Sequence, residues 1–569
     1  MKKNNNFNLS FSKKKTDFYI IVSIIKILTI FLGVDLKMPN TISQNLQRLQ
    51  DAKDAIANKI IELGGIVSSG DGLEEFPDDM DSIPSGGGGF SEYEDEDGKA
   101  VRFFDYDGTM ICDYSPEEFL ALSSMPANPT HEGLTAQGWN WSLSDAQTHV
   151  EKYHYLDIGQ MYTTSDGKTR LHITITSSQL SVTLTLRING SADVDWGDGS
   201  SPSTLTGNNA DVSSTHNYSV EGNYIITIGC NGTCGTGIYY SSGSYSFKLL
   251  NDPSILTEVH IGDNFSINNG GFSRCGYLTK ITIPNGCTVY GQYTFNMSQV
   301  SNLVGIILPI GFTDINVRMF GELYKAKFIC IPNTVTSIGD QYSITICAFQ
   351  RLIFPDSLTT VRYKTNYANI YNCSMKILVI TDTTTNNSIS IDHCSKLTYL
   401  RYKNQISISY GGSIDTVETS YISTSPLSFY MVGTSGDKKY IENIILTGDI
   451  TTLPSNYLSD NHSYMIHKLI LPKTLQVLDT DCLTGGSGLY NLTIPASVTQ
   501  INASFTALKN CDYIKFEGST PPVVSSSHAW NGDYPYIPYY KIYIPKGTLQ
   551  TYTTSTNYPS PDVVTYVEY

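Results

Sequence analysis

A mainly β chain ending in a solenoid is the fold this sequence predicts, on three observations. Charged residues make up 16% of 569, against roughly 25% in an ordinary soluble domain. Ser, Thr, Asn, Gly and 39 Tyr take their place, and these types favour strands, turns and uncharged polar surfaces over long helices. From about Ile261 an apolar strand followed by proline recurs, as in "ITIPNGC", "IILPIGF", "ICIPNTV", "LIFPDSL", "LILPKTL", "LTIPASV" and "IYIPKGT". Pro284, Pro309, Pro332 and Pro355 are 25, 23 and 23 residues apart, and Pro472, Pro495 and Pro545 keep the phase if a degenerate repeat falls near Gly518. "ILVITDT", "LTYLRYK" and "IILTGDI" are weaker copies between the two groups. A period in this range marks a coil whose turns bury their apolar faces only against one another.

In chain order the expected segments are a basic and apolar stretch (1–37), a helical segment (38–84), a Gly-rich acidic linker (85–98), a small α+β module (99–165), a β-sandwich (166–250) and the repeats with a C-terminal cap (251–569). The apolar run Phe18 to Val34 follows Lys13, Lys14 and Lys15 and is interrupted by Lys26. Two readings stay open: an uncleaved membrane anchor, or a chain that starts at Met38. Ile42, Leu46, Leu49, Ile56, Ile60 and Leu63 share a heptad seam with Lys53. That seam serves either a homo-oligomeric coiled coil or one amphipathic helix packed on its own chain.

The formal charge of −16 argues against a nucleic-acid partner, which needs a clustered cationic face. The eleven cysteines show neither a Cys-x2-Cys pair nor a His at zinc-finger spacing, so no metal or cofactor is expected. Cys230 and Cys234 are close enough in sequence for a disulfide if the compartment oxidises. The rest read as small buried residues.

In "VRFFDYDGTM" Asp105 and Asp107 precede Gly108 and Thr109, the opening motif of haloacid-dehalogenase-like phosphatases. The Asp-Gly pairs at 97–98, 107–108 and 166–167 also lie between strand-like runs and read as hairpin turns. Phosphatase chemistry needs in addition a parallel sheet, a downstream Ser or Thr and Lys, and a second acidic pair. After Thr109 the chain instead carries two short helices, "SPEEFLAL" with Ser115 as cap, Pro116 first and Glu118 beyond it, and "SDAQTHVEKY" starting at Ser144 with Gln147 similarly placed. The chain is therefore expected not to be an enzyme.

Three resemblances refine these readings. Residues 38–165, including "FPDDMDSIP" and the stretch from "FFDYDGTM" to "LDIGQMY", resemble a module of phage and prophage structural proteins from gut Firmicutes. Asp195, Trp196, Gly197, Asp198 and Gly199, with His216, Tyr218, Gly222 and Tyr224 in "HNYSVEGNY", resemble a polycystic-kidney-disease (PKD) type module, which implies an immunoglobulin-like sandwich on an extracellular protein. In that stretch Asp195 and Asp198 stabilise turns more readily than they make a calcium cage, which needs six or more oxygens. The proline repeats resemble the leucine-rich repeats of BspA-like bacterial surface proteins, with "IPNTVTSIGDQYSITICAFQRLIFP" the clearest copy. That resemblance makes Cys275, Cys347, Cys373, Cys394 and Cys511 a ladder inside the coil.

The function implied is non-enzymatic recognition: a phage or prophage tail-associated protein of the virion, or, as the alternative, a membrane-anchored cell-surface adhesin. The expected partner is a host or cell-surface glycan or protein, and the sequence does not place its binding residues.

Overall fold

The computed structural model describes residues 99–569, apart from 238–248, 298–300, 363–366, 382–388, 395, 403–406, 410–413, 420–438, 456, 459–463, 527 and 532–540. The apolar run 18–34, the heptad seam 42–63, the linker and Asp97-Gly98 lie outside the described residues. Among the described residues no helix is long and apolar enough to cross a membrane.

The first module comprises β1 (Val101–Phe104), β2 (Met110–Tyr114), α1 (Pro116–Leu120), β3 (Leu134–Trp139), α2 (Leu143–Tyr153) and β4 (Leu156–Thr164). Its sheet runs β2-β1-β4-β3, with β1 antiparallel to β2 and parallel to β4. Asp107-Gly108 forms the β1–β2 hairpin turn, where Gly108 has φ 97°. Ser115 and Glu118 form the expected capping box. The second helix starts earlier than expected: its cap is Ser142, whose side chain accepts from the Asp145 N–H, so Ser144 lies inside the helix. Asp166-Gly167 turns the chain, but from β4 to β5 (Thr169–Ile175), which belong to different sheets, so it is not a hairpin between paired strands.

β5 is followed by β6 (Ser181–Asp195), β7 (Ser203–Asn217) and β8 (Gly222–Thr236). Hydrogen bonds join all four into one sheet, and the free edge of β5 pairs with β9 (Leu256–His260), the first strand of the coil. The strands expected to form a separate sandwich thus run on into the repeats and cap their N-terminal end. Cys230 and Cys234, both in β8, are joined by a disulfide.

Each turn of the coil contributes up to three short strands, for example Phe328–Cys330, Ser337–Ile338 and Ile344–Thr345, before returning at Arg351–Ile353. The first strands of successive turns stack in parallel, culminating in a ten-stranded sheet that ends at Tyr566–Glu568. The degenerate repeat near Gly518 is the strand Tyr513–Phe516. Leu352, Leu378, Leu400, Val417, Ile444, Leu469, Leu492, Ile514 and Ile542 are in register and buried, forming one inner row. Trp530 Nε1 donates to Asn557 O and the Tyr552 hydroxyl to Gly518 O, closing the C-terminal end as a cap.

One corner recurs in nearly every turn. Arg274, Glu322, Ile346, Asn372, His393 and Asp481 all hold φ between 51° and 62°, and each precedes a buried residue: Cys275, Leu323, Cys347, Cys373, Cys394 or Cys482. The left-handed turn drops that next side chain into the coil. Of the five cysteines expected in the ladder, Cys347, Cys373 and Cys394 follow one another at successive corners, each thiol meeting the carbonyl two residues back and the Cys373 N–H donating to Cys394 Sγ. Cys275 makes the same bond several turns earlier, and Cys511 differs, its thiol meeting the Tyr513 carbonyl two residues on. Asn suits this backbone and a β-branched residue does not. Ile346→Asn is therefore expected to raise stability by about 1 kcal/mol, read as a higher urea midpoint. A lower midpoint would show that the packing of the Ile346 side chain outweighs the relieved strain.

Candidate recognition surface

Side chains alternate across a strand, so the residues flanking the inner row point out of the coil. Along the first half of this outer face they are buried: Phe328 is 1% exposed, Arg351 1%, Val379 0% and Glu418 7%. The cover is the 99–165 module. Phe104 stacks on Phe328 with ring centroids 4.3 Å apart, and Ile353, Ile377 and Val379 join the core built from Val101, Phe103, Trp139 and Val150.

Polar groups lock this contact. Asn140 Nδ2 donates to the carbonyls of Leu308 and Cys330, while its Oδ1 accepts the Gly159 N–H. Trp141 Nε1 donates to Ile331 O at 2.8 Å. Arg351 reaches back to the carbonyls of Ala100 and Lys99, and the Tyr153 hydroxyl donates to Asp356. Gly159 is needed for this approach, since a Cβ there would collide with the Ile307 side chain. Beneath the contact, Arg102 grips Asp157 through two bonds of 2.8 and 2.7 Å, and Arg351 Nη1 stands 3.8 Å from the same carboxylate.

Beyond the module no described residue covers the outer face. Two rows run along it in register: Lys468, Asn491, Tyr513 and Lys541, then Ile470, Thr493, Lys515 and Tyr543. Lys468, Lys541 and Ile470 are exposed and the others half-buried. Tyr513 meets Tyr543 edge to face at 5.1 Å, and Lys515 Nζ lies 4.0 Å from the Tyr569 ring. On the neighbouring row His467 Nδ1 pairs with Glu442 at 2.8 Å and stacks on Tyr490. Such a face offers rigid aromatic area and adaptable polar groups, the chemistry of a binding surface.

The residues singled out in the sequence fall elsewhere. Asp105 is buried, accepts the Tyr106 N–H and pairs with His131 Nε2 at 2.8 Å. Asp107 accepts the Thr109 N–H. Both aspartates thus brace a hairpin on a mixed four-stranded sheet, not the parallel sheet that the phosphatase motif requires. Tyr106 also meets His260 of the first repeat edge to face at 5.6 Å.

The aromatic and glycine string of the next segment does come together. Trp196 is buried, donates from Nε1 to Ser203 Oγ and stacks on His216, and the Tyr218 hydroxyl donates to the Trp196 carbonyl. Asp195 accepts the Gly197 N–H, while Asp198 accepts the Ser200 N–H and pairs with His216. These bonds hold the Asp198 carboxyl down at about 2, Ser200 first and His216 second. Gly197, at φ 79°, lies so near Ile225 O that a Cβ would come within 2.5 Å. Both aspartates therefore act in the turn.

The family described as the BspA type leucine rich repeat region matches in six copies over residues 242–370, 325–423 and 436–526. No curated protein matches the chain. Among solved structures, a leucine-rich repeat protein from Bacteroides ovatus is 16% identical, covering 60% of this chain and 96% of that one, with a TM-score of 0.23. A leucine rich cell surface protein from Faecalibacterium prausnitzii is 16% identical over 53% of this chain and 93% of its own, with a TM-score of 0.19. A leucine-rich repeat protein from Eubacterium ventriosum is 16% identical over 49% and 91%, with a TM-score of 0.15.

Proposed function

From BspA-type leucine-rich repeats within residues 242–526, we propose that this chain is a cell-surface recognition protein that works by binding and not by catalysis. The observation that carries the reading is the division of the outer sheet face. One half is sealed by the chain's own 99–165 module, and the other presents Lys468, Tyr490, Tyr513, Lys541 and Tyr543 outward. A coil built only of stacked turns acts by presenting surface. The repeats would face a glycan or protein of another cell, with residues 166–250, the PKD-like stretch, as their N-terminal cap. Membrane tethering through residues 18–34 and association through 42–63 belong to the same proposal.

The second reading, a phage tail-associated protein, is favoured by one observation, the likeness of residues 38–165 to phage structural modules. Protease shaving of intact cells followed by peptide mass spectrometry separates the two. The surface reading expects repeat peptides released from whole cells. Repeat peptides found only in purified phage particles would overturn it in favour of the virion.

A further inference from the structure

The two open rows carry three lysines and no carboxylate from Lys468 to Tyr543, on a chain of net charge −16. Glu442 flanks them on one side, paired with His467, and Glu517 lies just past the end of its strand on the other. The open rows thus carry a local excess of positive charge on a chain that is acidic as a whole, with Asp512 exposed beside Tyr513, and such a patch attracts an anionic partner.

We propose that these rows bind an acidic polysaccharide, a polymer whose sugars carry uronate, sialate or sulfate groups at intervals. The inference rests on the recognition reading above and names its ligand class. Lys468, Lys515 and Lys541 meet the anionic groups, while Tyr513 and Tyr543 give ring faces against which the apolar side of a sugar stacks. Lys468 and Lys541 are three strands apart, about 14 Å at the ordinary strand spacing. A nucleic-acid strand presents a charge about every 3.4 Å, far denser than three lysines can match. A polymer charged on alternate sugars matches that sparse spacing, and the rows run along the coil axis as a linear polymer requires. Tyr hydroxyls, Asn491 and Thr493 supply partners for sugar hydroxyls.

The test uses the full chain against immobilised chondroitin sulfate, polygalacturonate, neutral dextran and a panel of extracellular-matrix proteins. The expected result is binding to the acidic glycans and not to dextran, weakened on the order of tenfold by raising salt from about 50 to 300 mM, since exposed charges are screened over that range. The triple variant Lys468→Gln, Lys515→Gln, Lys541→Gln is expected to lose at least about tenfold in affinity, and Tyr543→Ala several-fold at either salt. These outward-facing substitutions leave the inner row untouched, and an unchanged circular dichroism melt verifies the fold. Acidic-glycan binding that the triple variant leaves unchanged overturns the proposal. Binding to dextran or to a matrix protein alone also overturns it, while the recognition reading stands. Binding to nothing on the panel counts against both.

Discussion

Replacing Asp157 with Ala is expected to cost about 3–5 kcal/mol, the penalty for removing one partner of a buried ion pair. Asp157 and Arg102 are each 3% exposed and Arg351 is 1% exposed, so the substitution takes the counter-charge from two buried guanidinium groups, although Gln350 still accepts from Arg102 and the Ala100 and Lys99 carbonyls from Arg351. The worth of the intact pair is a separate matter, because burying both charges has its own desolvation cost. Two of the four tryptophans, Trp139 and Trp141, lie in the covering module, so about half of the tryptophan signal follows its release in urea. The expected result is an early transition at these tryptophans in the variant. A loss below about 1 kcal/mol is what an exposed pair gives, and it would mean that water reaches Asp157.

Acid should loosen the same contact. His149 on α2 is fully buried, with its ring 5.2 Å from Trp141 and 4.8 Å from Tyr153. Burial pushes its pKa from 6.5 down to about 4, more than Asp356 and the Tyr155 backbone push it up. The folded state therefore holds His149 neutral while the unfolded chain takes up a proton below 6.5. Stability contributed by the neutral ring is complete above that value and falls as pH drops toward 4. The shift amounts to about 3 kcal/mol between pH 7 and pH 4. His149→Gln removes this titration, so the difference between wild type and variant in urea stability should change by that amount across the window. A difference independent of pH would mean that the folded ring protonates as freely as the unfolded one.

Much of the coil is legible in the sequence because its rules are local. Proline just past an apolar strand marks the end of the first strand in the turns from Pro284 to Pro355 and again at Pro472, Pro495 and Pro545, and a small residue beside the corner marks the ladder of Cys347, Cys373 and Cys394. Ser115 with Glu118 announces its helix for the same reason. The strand Ile414–Thr419 is hidden because "IDTVET" has neither proline nor a continuous apolar run. The start of α2 at Ser142 is obscured by a second serine, Ser144, two residues on.

The docking of residues 99–165 has a signal that periodicity alone does not expose. Covered strands read "GII", "FIC", "RLI" and "ILV", mostly apolar on both faces, whereas open strands read "NLTI", "YIKF" and "KIYI". A strand apolar on both sides is buried on both sides. What covers it depends on contacts nearly two hundred residues apart in sequence, such as Trp141 with Ile331, and no local pattern encodes those. The same holds for the open rows, whose lysines and tyrosines come together only through strand register.

The most direct test of the account is alkylation of Cys330 in the native protein, read by peptide mass spectrometry with N-ethylmaleimide as the reagent. Cys330 stands on the outer face, is 0% exposed and lies where Asn140 bonds its carbonyl. Burial also raises its thiol well above the ordinary value, with Asp157 adding to the effect. Cys347 and Cys373 point into the coil and report its integrity whether or not the module is docked. If the module seals half of the sheet, Cys330 stays unmodified with Cys347 and Cys373, and becomes labelled in Asp157→Ala. Labelling of Cys330 in the wild type while Cys347 and Cys373 remain protected would contradict the account, since the coil would then be folded with its outer face open throughout.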